Sequence, residues 1–125
     1  DNDLEAACMH YSSLLQKSCG TPPVLDIVHL GLGPDGHTAS LVPGDGVLQV
    51  MNRDVALTEG CYQDRRRMTL TYPCINRAQR IMWQVVGSDK ASALSQMLAG
   101  SGEVPGGGIS TKQAVVFADS SAVNG

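Results

Sequence analysis

The sequence has few aromatic residues and no long apolar run, and both shortages narrow what the protein can be. Aromatic residues make up 4% of the 125 residues, so the core must be built mostly from aliphatic side chains. The apolar runs fall far short of the roughly 18 residues that a membrane span requires. The sequence begins Asp1-Asn2-Asp3, without the pattern of a signal peptide. We therefore expect a protein that does not act in a membrane.

Charge is also scarce, and no basic tract is present. Charged residues make up 17% of the chain, and 9 Lys+Arg against 12 Asp+Glu give a net charge of −3. A nucleic-acid-binding protein would carry a basic patch or stripe, so nucleic acid is not an expected partner. Hydrophobic residues make up 42%, which is typical of a folded globular protein, and the length suits one domain.

The four cysteines, Cys8, Cys19, Cys61 and Cys74, are scattered along the chain. They form no C-x-x-C pair and have no Cys/His spacing of the kind that holds a metal ion, so no metal site is expected. Extracellular disulfides remain open, but free thiols in a reducing cytoplasm are the simpler interpretation.

Apolar patterning predicts strands and helices in alternation. The run over 24–30 lacks a clear period of two, which indicates a strand buried on both faces. Alternating elements imply an α/β fold with a mainly parallel sheet flanked by helices. The patterns predict strands over 24–30, 54–57, 68–72, 80–86 and 114–118, helices over 3–18, 37–41, 74–79 and 89–99, a loop over 100–112 and an N-cap at Asp119-Ser120.

The glycine-rich loop 31–36, GLGPDG, allows three interpretations. It fits the G-x-G-x-x-G fingerprint of dinucleotide sites, but such a site needs a sizeable helix after the loop, and Pro43 ends the candidate helix after about five residues. Pro34 also removes one amide that a pyrophosphate would need. A second interpretation is a plain turn between a strand and a helix.

The third interpretation is a catalytic loop, because Asp35 and His37 follow a buried strand. Open α/β sheets place their ligand crevices at that edge. A histidine can exchange protons near neutral pH, and a nearby carboxylate can fix its tautomer. The sequence therefore makes His37 a candidate general base.

The same segment resembles a known family. Residues 30–41, LGLGPDGHTASL, match the signature G-x-G-x-D-G-H-T-A-S-L-F-P of 6-phosphogluconolactonases, with Val42 in place of the usual phenylalanine. The related glucosamine-6-phosphate deaminases continue with I-A-F-N-E-P, so residues 38–43 favour the lactonases. Further segments resemble the family in the same order: RMTLTYP over 67–73, INRA over 75–78, VGSDKA over 86–91 and VVFAD over 115–119.

The resemblance implies a Rossmann-like fold and the cofactor-free hydrolysis of 6-phosphoglucono-1,5-lactone to 6-phosphogluconate, a step of the pentose phosphate pathway. It implies that His37 activates water and that Asp35 orients the imidazole or holds the substrate. Each candidate also has a simpler interpretation. His37 would be a histidine bonded to the backbone, Asp35 a helix N-cap, Lys90 a solvated lysine, and Arg67 part of a solvated arginine run over 65–67. The resemblance nominates five further residues for substrate binding: Gly31, Gly33, Gly36, Arg67 and Lys90.

Members of that family are about twice as long, and their first half supplies a Gly/Ser phosphate-binding loop and an arginine. We therefore expect residues 1–125 to be the C-terminal part of a single 6-phosphogluconolactonase-like domain, trimmed near the last helix cap. The rest would be an N-terminal half or a fused dehydrogenase domain. Two alternative functions stay open: a glucosamine-6-phosphate deaminase/isomerase-like enzyme, and a truncated, non-catalytic sugar-phosphate-binding module.

Overall fold

The computed structural model describes residues 2–125. Within that range, helices and strands alternate along most of the chain. The α-helices are α1 (Asn2–Cys19), α2 (Tyr72–Asn76), α3 (Ala91–Leu98) and α4 (Ser120–Asn124), and the strands are β1 (Ile27–Leu30), β2 (Val55–Tyr62), β3 (Arg65–Leu70), β4 (Arg80–Val85) and β5 (Ala114–Ala118). Short 3-10 turns occupy Gly46–Gln49, Ser88–Lys90 and Pro105–Gly108.

Three of the strands form a parallel sheet in the order β1-β4-β5. Leu30 pairs with Trp83, and Trp83 pairs with Val116, so the carboxyl ends of all three strands meet at one edge. Helices connect and flank these strands, which confirms the predicted α/β fold with a mainly parallel sheet.

Within residues 2–125, helices and loops cover one face of the parallel sheet and leave side chains on the other face exposed. Leu30, Ile81 and Trp83 are buried on the covered face, and they form the main core with α3 and the segment that follows it. On the opposite face, Ile27 is 61% exposed and Phe117 is 59% exposed. The prediction that the first strand is buried on both faces is therefore wrong: β1 alternates between exposed and buried residues, and the apolar Ile27 occupies one of the exposed positions.

Strands β2 and β3 form a separate antiparallel hairpin. The predicted strand over 54–57 overlaps the start of β2, and the one over 68–72 overlaps the end of β3, so neither is part of the parallel sheet. The second prediction runs too far, because Tyr72 already begins α2. The sequence pattern also made β2 too short, because a bulge between Leu57 and Cys61 interrupts the alternation. Gln63 and Asp64 form the turn with φ of 55° and 64°, the left-handed conformation that tight hairpin turns require.

The predicted helix over 37–41 is absent from the structure. The backbones of Thr38 and Leu41 instead bond to each other across a tight turn, at 3.3 and 2.8 Å, with Ala39 at a φ of 52°. The Thr38 hydroxyl donates to the carbonyl of Gly31 at 2.8 Å. The turn folds the segment back, and Leu41 is fully buried in the main core.

Helix α1 confirms the predicted helix over 3–18 and packs on the hairpin. One stripe of the helix, including Cys8 and Leu15, is buried against Val55 and Cys74, whereas Leu14 is 45% exposed. At the other end of the chain, the Asp119 carboxylate accepts the Ala122 amide at 2.8 Å and caps α4, as predicted. Among the described residues, no helix combines the length and the apolar character needed to cross a bilayer.

Candidate functional site

The glycine loop after β1 is held by its own backbone. The Gly33 amide donates to the carbonyl of His37 at 2.8 Å, and the Gly36 amide donates to the carbonyl of Gly33 at 2.9 Å. Gly36 has a φ of 88°, which L side chains rarely adopt, and its carbonyl accepts the Gly106 amide at 3.0 Å. The loop therefore presents Asp35 and His37 from a fixed backbone at the carboxyl edge of the parallel sheet.

Asp35 and His37 form a hydrogen-bonded pair. Oδ1 of Asp35 lies 2.5 Å from Nδ1 of the His37 ring and accepts the His37 backbone amide at 3.0 Å. The side chain of His37 is 43% exposed and that of Asp35 is 53% exposed, so both are reachable from solvent. Partial burial raises the pKa of the Asp35 carboxyl, but the hydrogen bonds and the charge of His37 outweigh it, and the pKa lies below its ordinary value. The carboxylate therefore stays ionised near neutral pH and can fix the tautomer of the ring.

A cleft of about 270 Å³ opens beside this pair. The loop contributes one wall, and the tip of the β2–β3 hairpin contributes the other. Arg67 is half-buried in that second wall, and its Nη2 donates to Oε1 of Gln63 at 2.7 Å. The cleft is lined by Asp35, His37, Ala39, Ser40, Val42, Tyr62, Gln63 and Arg67. The structure thus brings together three of the residues that the sequence nominated, Asp35, His37 and Arg67.

Lys90 and Gly31 lie in a neighbouring cavity, of about 380 Å³, together with His29 and Leu32. Nζ of Lys90 donates to the carbonyl of Leu32 at 2.6 Å, so the ammonium contacts the same glycine loop from its other side. His29, a residue of β1, is exposed there and is not packed within the sheet. The structure therefore does not place Lys90 in the lining of the His37 cleft, although the loop borders both cavities.

Sequence reasoning missed Tyr62 and Gln63, which line the cleft, and Asp45, which binds Tyr62. Oδ2 of Asp45 accepts the Tyr62 hydroxyl at 2.6 Å. The missing signal was the length of β2: a strand continued beyond residue 57 would have placed Gln63-Asp64 at a hairpin turn next to Arg67. Asp45 follows Pro43-Gly44, and aspartate in such a position commonly binds nearby backbone amides.

Metal ligation finds no support in the part of the chain that the structure describes. No three His, Cys, Asp or Glu side chains come together there in a group that could hold a metal ion. The four cysteines are free thiols; Cys8 and Cys74 are buried and Cys61 is exposed. The polar side chains of the cleft are instead a carboxylate, an imidazole, a guanidinium, an amide and two hydroxyls.

Comparison with known proteins identifies relatives of this architecture. The family model described as glucosamine-6-phosphate isomerases/6-phosphogluconolactonase matches residues 1–117. The 6-phosphogluconolactonase of Nostoc sp. is 42% identical over 94 residues, which cover 75% of this chain and 38% of that protein. The human 6-phosphogluconolactonase is 34% identical over 105 residues, covering 82% of this chain and 41% of that protein.

A solved structure extends the similarity to the whole fold. The crystal structure of 6-phosphogluconolactonase from Leishmania guyanensis superposes with a TM-score of 0.80 at 26% sequence identity, and the match covers 96% of this chain and 52% of that one. The chain thus spans about half of that solved structure and less than half of the curated relatives. The chain therefore belongs to the glucosamine-6-phosphate isomerase/6-phosphogluconolactonase family.

Proposed function

We propose that this chain carries the general base and part of the substrate site of a 6-phosphogluconolactonase, which hydrolyses 6-phosphoglucono-1,5-lactone to 6-phosphogluconate in the pentose phosphate pathway. One observation carries the proposal: the Asp35–His37 pair, at 2.5 Å, lies in the same cleft as Arg67. The cleft thus combines a group that takes protons with a group that binds anions. The relatives named 6-phosphogluconolactonase support the choice of substrate.

The reaction begins with a water molecule at the ring of His37. With Nδ1 held by Asp35, Nε2 is the ring nitrogen that accepts a proton from water. The hydroxide adds to the carbonyl carbon of the lactone and forms a tetrahedral oxyanion. The bond from that carbon to the ring oxygen then breaks, and the imidazolium returns its proton to the leaving oxygen. The products are a carboxylic acid, which ionises, and a free hydroxyl, so protons and bonds balance.

The negative phosphate of the substrate needs cations and backbone amides. Arg67 offers a planar guanidinium inside the cleft, and Lys90 offers an ammonium on the other side of the glycine loop. We assign Gly31 to substrate contact through the backbone, because it is exposed and no atom lies within 4 Å of where its β-carbon would stand. Gly33 and Gly36, which the resemblance also nominates, are buried against the His37 ring and Val104, so they serve the site by giving those side chains room. Asp35 orients the imidazole in this proposal.

One proposal explains both the partial coverage of the relatives and the exposed face of the parallel sheet. We propose that residues 1–125 form the C-terminal part of a single domain and that an N-terminal half covers the exposed face with Ile27 and Phe117. The exposure of these side chains and the partial coverage of the relatives support it. The free cysteines support a cytoplasmic location. Lactonase activity is accordingly assigned to the full-length protein.

The family description also names glucosamine-6-phosphate isomerases, so a deaminase/isomerase is the second candidate. The test is an assay of the purified full-length protein with both substrates. We expect hydrolysis of the freshly generated lactone, measured by coupled dehydrogenase, and no ammonia release from glucosamine 6-phosphate. Ammonia release without lactone turnover would replace the proposal with the deaminase. Binding of 6-phosphogluconate without turnover of either substrate would leave a non-catalytic sugar-phosphate-binding module.

A further inference from the structure

Asp45 is a buried carboxylate whose hydrogen bonds join two parts of the site. It is 7% exposed, and four donors converge on it. Oδ1 accepts the amides of Val47 and Glu59, both at 2.9 Å. Oδ2 accepts the Gly60 amide at 2.9 Å and the Tyr62 hydroxyl at 2.6 Å. A buried carboxylate that accepts four hydrogen bonds holds its donors strongly and in fixed directions.

The hydrogen bonds of Asp45 connect segments that are distant in the sequence. Asp45 and Val47 belong to the segment that continues from the His37 loop through the turn at residues 38–41. Glu59, Gly60 and Tyr62 belong to the bulged part of β2, just before the hairpin turn. The carboxylate therefore fastens the hairpin tip to the chain segment that carries the imidazole.

The β2–β3 ladder is interrupted between Leu57 and Cys61, so ladder pairing holds the bulge less than the rest of the hairpin. Thr58 supplies a second attachment: its hydroxyl donates to the Gly60 carbonyl at 2.8 Å and accepts the Arg67 amide at 2.9 Å. Asp45 provides the attachment that reaches outside the hairpin. Tyr62, Gln63 and Arg67, which follow the bulge, form the wall of the cleft opposite His37.

The hydrogen bonds of Asp45 also persist when the pH changes. Burial raises the pKa of the Asp45 carboxyl, but the hydrogen bonds from Tyr62 and three amides outweigh it and lower the pKa to about 2. The same bond raises the pKa of the Tyr62 hydroxyl to about 12. The carboxylate and the phenol therefore keep their acceptor and donor roles across the neutral range.

We propose that Asp45 is a positioning residue of the site, which holds Tyr62, Gln63 and Arg67 across the cleft from His37 and so sets the opening that the phosphosugar lactone enters. The proposal rests on the proposed function for its substrate, but not for its geometry. Asp45 does not line the cleft, so it acts through the hairpin tip. A loosened tip weakens the binding of the substrate, while the imidazole and its carboxylate partner stay in place.

The test is Asp45→Asn in the full-length protein, with Asp54→Asn as the matched control. Asp54 is also a carboxylate with little exposure, paired with Arg77, but it lies at the opposite end of the hairpin. Asp45→Asn replaces one carboxylate oxygen with an amide nitrogen, which cannot accept the two bonds made to that oxygen. We expect the KM for the lactone to rise about tenfold and kcat to stay within about threefold. Asp54→Asn should keep the KM of the parent. An unchanged KM in Asp45→Asn, or an equal rise in both variants, overturns the proposal.

Hydrogen exchange separates this proposal from the assigned reaction. Amides over residues 59–67 should exchange faster in Asp45→Asn than in the parent, whereas those of β4 should not. If the parent protein is inert toward the lactone, the proposed function fails, and this measurement alone decides the positioning role: unchanged exchange over 59–67, or faster exchange throughout the chain, contradicts it. If Asp45→Asn does not fold, Tyr62→Phe removes a single bond of the four and should show the same localised exchange.

Discussion

The ring of His37 lies directly against the α-carbon of Gly33. A β-carbon at residue 33 would overlap Cε1 and Nδ1 of the ring and would crowd Oδ1 of Asp35. Replacement of Gly33 by alanine should therefore push the imidazole away from its carboxylate partner. We expect Gly33→Ala to lose lactonase turnover and to lower the free energy of unfolding by about 1–3 kcal/mol, the usual cost of overpacking.

Gly102→Ala is the matched control for this substitution. A β-carbon at residue 102 has no atom within 4 Å, and the backbone there is not left-handed. Its kinetic constants and unfolding midpoint should equal those of the parent. Full turnover in Gly33→Ala would mean that the ring is not held where the structure places it.

Removal of the imidazole tests the chemistry itself. His37→Ala should lower kcat for the lactone by about two to four orders of magnitude, the usual contribution of a general base. The comparison is His10→Ala, since His10 is an exposed histidine on α1 and does not line the cleft. Steady-state assays on both variants check the prediction. Near-normal turnover in His37→Ala would remove this residue from the mechanism.

Arg67 and Arg65 belong to the same run of arginines, but we expect them to differ sharply in function. Arg67 lines the cleft with His37 and also borders a second cavity, on the α1 side of the hairpin, whereas Arg65 is exposed and borders the second cavity but not the His37 cleft. We expect Arg67→Ala to raise the KM for the lactone by about tenfold or more, since a guanidinium bond to a phosphate is charge-assisted. Arg65→Ala should leave it unchanged. Equal effects of the two substitutions would assign Arg67 to general surface charge.

Lys90 offers a test of whether the second cavity takes part in substrate binding. If the phosphate reaches across the glycine loop, Lys90→Ala should raise the KM by about tenfold while kcat is retained. Lys112→Ala removes an exposed lysine from a loop and should have no effect. A KM equal to that of the parent in Lys90→Ala would leave its bond to the Leu32 carbonyl as a purely structural contact.

Asp45 also gives a pH-dependent stability. Its pKa falls from 3.8 in the unfolded chain to about 2 in the folded one, so its contribution is present above about pH 4 and is lost as the pH falls toward 2. At pH 7, Asp45→Asn should lower the free energy of unfolding by about 1–3 kcal/mol. The difference from the parent should shrink between pH 4 and pH 2. Urea unfolding followed by the fluorescence of the buried Trp83 measures it, and a difference independent of pH would contradict this origin.

The local patterns of the sequence were enough for the parallel sheet and for the loop that carries the imidazole. A strand over 80–86 and another over 114–118 were each marked by apolar runs between turn residues, and β4 and β5 lie there. The cap at Asp119 followed from the same local chemistry. Such features depend on neighbours in the chain, so one sequence can reveal them.

The hairpin wall and the turn at 38–41 depended on contacts that are distant in the sequence. The bulge in β2 exists because Asp45, about 15 residues earlier, satisfies amides that the ladder leaves free. The segment 38–41 turns rather than forming a helix because burial of Leu41 and the bond from Ser40 to Thr69 outweigh its helical spacing. Neither partner can be read from a local pattern.

The bare face of the β1-β4-β5 sheet determines how the chain behaves when it is handled by itself. Ile27, Val115 and Phe117 expose apolar side chains to water on this face, and the hydrophobic effect favours any contact that buries them. The isolated chain should therefore bind fluorescent dyes that are specific for apolar surfaces. It should also sediment as larger species when its concentration is raised. Charged replacements at Ile27 and Phe117 should keep such preparations dispersed.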